Sequence, residues 1–362
     1  MFKGDNMKQL LAGLFLSLVS SFSYADYRMI IPQEPGGGTS VWASIVAKHL
    51  EKQLGERIVL VHIPGARDIP GFNKFHNELR KDPKTIMVSH GGNAESFLTE
   101  KVDYNYKDYE PIGAQNLSIV TAYRSDFDPY AKNSIIKFAA GSGNNPDMMA
   151  FTLLVCGELP TINDYLKCYK EHGNFVKGMK SGERRLSFMR GELNATREST
   201  AAFLKHVQPM IDKGQAKLWF SHGVLDLKTG KVMADKNFPS AGSFQEVYRQ
   251  KWGKEPAGPL YDSYLLVKQY RDALQKALWM DRGNPNAAKV KSALIAMIND
   301  PVAMEELKKD SGDYPWMVGD DLTKAVVILQ GLTQEQTLKN LVQWQSEAFG
   351  VVSVYKPEIV KK

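Results

Sequence analysis

Over the first hundred residues the chain switches repeatedly between two hydrophobic periods. Tyr27–Ile31, Ile58–His62 and Thr85–Ser89 are short apolar runs of strand length. Between the first two, Ser40–Leu54 places Val41, Ile45, Leu50 and Leu54 near one helical face. Phe72–Arg80 places Phe72, Phe75 and Leu79 at helical spacing, and Asn93–Thr99 starts a further helix. Strands alternating with helices predict a parallel sheet. Each strand runs into a turn with glycine: Gly36-Gly37-Gly38, Gly65 and Gly91-Gly92. In open α/β sheets ligands bind beyond the carboxyl ends of the strands, so these three loops are expected to converge on one crevice.

A second unit of the same kind begins near Ile119. Strands are expected at Ile119–Tyr123, Ile135–Ala139, Arg185–Met189 and Lys217–Ser221. The Gly141–Pro146 loop leads into a helix over Asp147–Cys156, echoing the first glycine turn. A break at Glu255–Pro259 precedes the apolar stretch Ser263–Val267 and a long helical region to Trp279. Helices then follow at Ala287–Asn299, Pro301–Lys308, Asp320–Gly331 and Gln334–Phe349. Two α/β units with glycine loops predict two lobes facing across a cleft.

Composition narrows the class. Lys3 and Lys8, the apolar run Leu10–Val19 and the small residues Ser23 and Ala25 predict a secretory signal peptide over residues 1–25. That apolar run is too short to span a bilayer, which takes roughly 20 residues. The net charge of +6 is mild and spread along the chain, which speaks against nucleic acid as partner. The seven histidines show no metal-ligand spacing, so neither metal nor cofactor is expected. Cys156 and Cys168 fit no zinc or redox motif; an exported chain would hold them as a disulfide or as two buried thiols.

The candidate chemistry is anion binding. A glycine turn into a helix start aims backbone N–H groups and the positive end of the helix dipole at one point, so Gly36, Gly37, Gly38, Thr39 and Ser40 are expected to hold a carboxylate. On that reading a β-branched residue at Gly37 abolishes binding. Gly65, Ala66 and Arg67 form a second wall, where Arg67 either grips a carboxylate in bidentate fashion or pairs with Asp68. His90, Gly91 and Gly92 form a third. Ser142, Gly143 and Asn144 are expected to offer hydrogen bonds from the second lobe, and Arg197 is a second candidate cation or a surface residue. Strand–His-Gly-Gly also builds the oxyanion hole of some α/β-hydrolases, but the Gly-x-Ser-x-Gly elbow of that fold occurs nowhere in the chain.

Several ordered segments resemble the substrate-binding proteins of tripartite tricarboxylate transporters, the Bug family. IIPQEPGGGTSVWASIVAKHLEKQLGERIVLVHIPGARDIPG is similar to the family's first two loops, and KTIMVSHGGNAESFL to its third strand and loop. YEPIGAQNLSIVTAYRSD resembles the strand that crosses to the second lobe. IIKFAAGSGNNPDMMAFTLL and IDKGQAKLWFSHG resemble that lobe's ligand loop and a following strand. WMDRGNPNAAKVKSALIAMINDPVAMEELKK is similar to the C-terminal helix pair. The chain departs from the pattern at Ser40 and Asn194, where the family usually has Asp, at Arg67, where it has Gly, and over Gly157–Gly182.

The resemblance implies an α/β fold of the type II periplasmic binding protein kind, with the ligand cleft at a two-strand hinge. Lobe one would comprise residues 26–117 and 260–362, and lobe two 118–259, with crossings near Gln115–Val120 and Leu260–Leu266. It also implies a monomeric periplasmic protein without catalysis or cofactor. Such a protein captures a small anionic organic ligand, a carboxylate, and delivers it to integral-membrane transporter subunits. The alternatives are the ligand-binding component of a membrane sensor and a secreted α/β enzyme.

Overall fold

The computed structural model describes residues 26–65, 68–93, 96, 101–140, 146–226, 231–331 and 335–353. The expected signal segment 1–25 and most of the helix expected at Asn93–Thr99 lie outside the described residues.

The first lobe is built on a six-stranded sheet of order β13-β4-β12-β3-β1-β2. Its strands are β1 (Tyr27–Ile31), β2 (Ile58–His62), β3 (Thr85–His90), β4 (Tyr109–Gln115), β12 (Lys276–Asp281) and β13 (Trp316–Met317). β1 pairs in parallel with β2 and β3, as the βαβ pattern predicts. β12 runs antiparallel between β3 and β4, with Lys276 opposite both His90 and Gln115. Helix α1 (Gly38–Leu54) covers one face, burying Trp42, Val46 and Leu50 against Met29, Ile31, Val88, Leu278 and Met280. The alternate strand residues Ile30, Met87, Ala277 and Trp279 bury on the other face with Phe72 and Phe75, from α2 (Ile69–Lys74) and the π-helical turn that extends it (Phe75–Leu79).

The intervening chain forms a three-stranded antiparallel sheet, β8-β5-β9, and a parallel pair, β6-β7. Here β5 is Ile119–Arg124, β6 Ile136–Ala140, β7 Gly173–Lys177, β8 Ala195–Ser199 and β9 Ala216–Ser221. A short antiparallel pair, β10 (Val224–Leu225) and β11 (Val232–Met233), follows. The helices of this region are α3 (Pro146–Cys156), α4 (Ile162–His172), α5 (Ser181–Arg190), α6 (Thr200–His206), α7 (Gln208–Asp212) and α8 (Phe244–Trp252). The chain ends in α9 (Pro259–Ala273), α10 (Ala287–Ile298), α11 (Pro301–Ser311), α12 (Gly319–Gly331) and α13 (Glu335–Phe349).

Three expectations fail locally. Arg185–Met189 is helical, within α5; Glu183 caps its first turn by accepting from the Lys180 N–H, and Leu186 and Met189 of the short apolar stretch face solvent. Ser263–Val267 is also helical. Pro259 opens α9 at a position where proline is pre-organised for helix, and Leu260, Tyr264, Val267 and Arg271 recur at helical spacing. The return of the chain near Leu260–Leu266 is therefore a helix and not a strand. The helix expected to reach Trp279 stops at Ala273, because Lys276–Asp281 fills the gap between β3 and β4.

Cys156, closing α3, and Cys168, on α4, are joined as a disulfide with their Cα atoms 6.3 Å apart. The loop it closes is short, so its removal should lower stability by about 2–3 kcal/mol. Thermal melts of the Cys156→Ala/Cys168→Ala double variant check this; an unchanged midpoint would mean that α4 is held by packing alone.

Candidate functional site

The carboxyl ends of β1, β2, β3 and β4 and the first residue of β12 share one edge of the six-stranded sheet. Loops leave this edge at residues 32–37, 63–65 and 91–93. Gly36 has φ +79°, a left-handed conformation that glycine adopts without steric cost. Gly37 is the N-cap of α1 and brings no side chain to cap the helix, and no acidic residue occupies its first turn. The first turn thus brings no carboxylate of its own to the positive end of the helix. Thr39 and Ser40 are buried, and Ser40 Oγ lies 2.9 Å from His62 Nε2 at the end of β2. Burial holds the His62 pKa below its ordinary value.

The helix start meets the other lobe directly. A Cβ at Gly38 would overlap the hydroxyl of Ser199, at the end of β8, and come 3.6 Å from the Ala202 methyl. Gly37 differs: its φ is ordinary and a Cβ there would only come 3.7 Å from the Glu34 carbonyl oxygen. Gly38 is therefore the position of the turn where a side chain is sterically excluded. Glu34, earlier in the same loop, pairs with Lys180 beside α5.

Gly65 packs against Pro70, whose ring a Cβ would overlap. Ala66 and Arg67 lie outside the described residues, as do Ser142, Gly143 and Asn144. Asp68, next in the second loop, is a buried non-glycine residue at φ 63°, a strained backbone held by its side-chain contacts. Its carboxylate binds the His90 ring at Nε2 and accepts from Asn93 Nδ2 at 2.7 Å. The Gly92 N–H donates to His90 Nδ1 at 2.8 Å, so the ring is a neutral tautomer with its proton on Nε2, toward Asp68. Burial keeps it neutral, holding its pKa down in spite of Asp68. His90 thus braces its own loop. Gly91 is pressed against α9, where a Cβ would lie 2.7 Å from the Arg271 carbonyl oxygen.

From the second lobe come charges that sequence spacing did not reveal. Asp147, in the first turn of α3, is fully buried; its Oδ1 accepts from His222 Nε2 at 2.9 Å, and Tyr264 OH lies 3.0 Å from His222 Nδ1. Arg197 Nε sits 3.4 Å from Asp147 Oδ2, with its side chain 20 % exposed. Arg197 is thus an ion-paired residue of the lobe interior's rim and not a free surface cation. Burial lowers its pKa to about 10, still leaving it charged at neutral pH. Burial alone would raise the Asp147 pKa; Arg197 and His222 outweigh it and hold the carboxylate below its ordinary value.

The third group lies on α9 and the start of β12. Lys268 donates to the Gly223 carbonyl oxygen at 3.0 Å and pairs with Asp272 one turn on. Lys276 is only 2 % exposed. Its register partners are His90 and Gln115, and it shares the face of Val88 and Leu278, the one covered by α1. Gln115, on that face, accepts from Trp42 of α1. Lys276 therefore stands at the same sheet edge from which the loop to the start of α1 leaves. Among the described residues no group of three or more His, Cys, Asp or Glu side chains could hold a metal, and no helix is long and apolar enough to cross a membrane.

The charges on α9 and β12 were hidden because each interrupts an apolar run; the one available signal was Lys268 and Asp272 at ion-pair spacing on one helix. No protein-family model and no curated protein matches this sequence. Among solved structures, the periplasmic binding protein BugD shares 17% identity over 90% of this chain and 98% of its own, with a TM-score of 0.59. MatC from Rhodopseudomonas palustris, with bound malate, shares 16% over 89% and 98%, with a TM-score of 0.55. An R. palustris protein with adipate shares 12% over 91% and 97%, with a TM-score of 0.57. At this identity the likeness is one of architecture, and the chain has the two-lobed α/β fold of BugD and MatC.

Proposed function

We propose that this chain is an extracytoplasmic solute-binding protein of the Bug type, capturing a small organic carboxylate between the lobe built on the six-stranded sheet and the lobe built on the intervening sheets. The observation that carries this reading is the N-terminus of α1, capped by Gly37 and without an acid in its first turn, meeting Ser199 of the facing lobe. Backbone N–H groups at a helix start replace the hydration of a carboxylate without supplying a competing acid. The malate and adipate held by two proteins of this fold belong to the same ligand class. The protein is read as a periplasmic monomer that performs no chemistry and hands its ligand to membrane subunits of a tripartite tricarboxylate-type transporter. Closure about the crossings would present the loaded form to those subunits.

The test is a thermal-shift panel of mono-, di- and tricarboxylates, their amides, amino acids and sugars on the refolded mature protein. A carboxylate at a hundred times its Kd should stabilise by about 2.7 kcal/mol, and its amide should not. Gly38→Val should abolish that shift by wedging the two lobes apart while each keeps its fold. Shifts with neutral compounds alone, or an undiminished shift in Gly38→Val, would remove the helix-start site.

A further inference from the structure

Among the described residues, Lys276 is a buried amine of this cleft that no carboxylate hydrogen-bonds. Its Nζ donates to the Gln275 carbonyl oxygen at 3.1 Å and, among the described residues, reaches no carboxylate. Asp272 pairs with Lys268 and Asp147 with Arg197 and His222, whereas Asp68, held by neutral His90 and Asn93, keeps its charge and pulls on Lys276 without hydrogen-bonding it. Placing a cation in the interior without a counter-ion is unfavourable for folding alone. Its location explains what it is for. Lys276 sits at the sheet edge where the three loops leave, on the face covered by α1, between His90 and Gln115. The start of α1 adds positive potential of the same sign.

We propose that Lys276 is the specificity-determining residue of the cleft, completing its ion pair with the bound anion. The assignment rests on the anion-binding reading above. Among the described residues, the groups that face Lys276 are neutral His90 on β3, Gln115 on β4, Arg271 on α9, Arg197 on β8 and Asp68 in the second loop. Burial, then Arg271 and Arg197, push the amine pKa down to about 7, against a smaller opposing pull from Asp68. An anion arriving beside it reverses that balance, so Lys276 takes up a proton as the anion binds. The lysine thereby separates anionic solutes from their neutral amides, which offer it nothing in exchange for its proton.

The experiment uses malate, adipate and sulfate as probes on the mature wild-type protein, Lys276→Met and Lys276→Arg. Titration calorimetry at pH 8 in buffers of different ionisation heat counts the protons. The wild type should take up about one proton per anion bound. Lys276→Met should bind at least roughly a hundredfold more weakly. Lys276→Arg, permanently charged, should bind without proton uptake. The ligand-free Lys276→Met protein should also melt above the wild type, a gain that loss of a merely structural lysine would not produce. Equal affinity in wild type and Lys276→Met, or anion binding by the wild type without protons, would overturn the role of Lys276 and leave the cleft reading standing. Failure of every anion to bind the wild type would overturn both.

Discussion

Ending the chain before Glu335 should abolish cooperative folding. Helix α13 carries Leu338, Leu341, Trp344 and Phe349, all buried. Trp344 stacks edge-on against Tyr169 of α4 at 5.4 Å, and Phe349 packs on Phe175 of β7 at 4.8 Å. Lys177 donates to the Phe349 carbonyl oxygen at 3.2 Å, tying the end of the helix to β7. At roughly 1.5–3 kcal/mol for each large apolar side chain, the four together contribute about 6–12 kcal/mol. That is comparable with the whole stability of a native domain. Calorimetry of the truncated protein should show no sharp unfolding transition, whereas Trp344→Ala alone should cost about 3–5 kcal/mol. A truncated chain melting within a few degrees of the full one would show that α13 is an ornament on α4 and α9.

Replacement of Asp147 should have the next largest effect. Asp147→Ala removes the carboxylate from between Arg197 and His222 and leaves Arg197 buried without its counter-charge, at a cost of about 3–5 kcal/mol. Asp147→Asn keeps an acceptor for His222 but not the charge, so it should fall between wild type and Asp147→Ala. The pH dependence has a definite sign. The folded-state pKa of Asp147 lies below its ordinary value of 3.8, so its contribution is complete above that value and is lost as the pH falls through the folded one. The stability gap between wild type and Asp147→Asn should be flat at neutral pH and close in acid below about pH 4. Urea titrations at several pH values check this. A gap that widened in acid would mean that Asp147 is protonated in the native protein.

The parallel part of the first lobe was legible because local pattern and final fold agree there. Tyr27–Ile31 and Ile58–His62 match β1 and β2, and α1 begins two residues before the expected Ser40. Glycine punctuation marks those boundaries, and each strand pairs with one close to it in sequence. Helix α9 and strand β12 were not legible for the converse reason. Leu265-Leu266-Val267 reads equally as strand or buried helix, and β12 is buried on both faces, so it shows no alternation. The site divides in the same way. Its backbone donors announce themselves through glycine, whereas Asp147, Arg197 and His222 lie far apart in sequence and meet only in the folded protein. His222 follows β9 and Lys276 opens β12, and neither carries a local sequence sign of the buried polar groups it meets.

The placement of β12 also sets a timetable for the chain. Trp279 donates to Ser89 Oγ at 2.8 Å across 190 residues of sequence, because β12 fills the slot between β3 and β4. A nascent chain emerging from a ribosome or a translocon has β1 to β4 in hand early, but with a gap at the centre of their sheet. The intervening sheets can pair from contiguous sequence long before that slot is filled. Completion of the first sheet therefore waits for residues near the far end, and the edges of β3 and β4 stay open until then, the interval in which such a chain is most exposed to aggregation or in need of a holding partner.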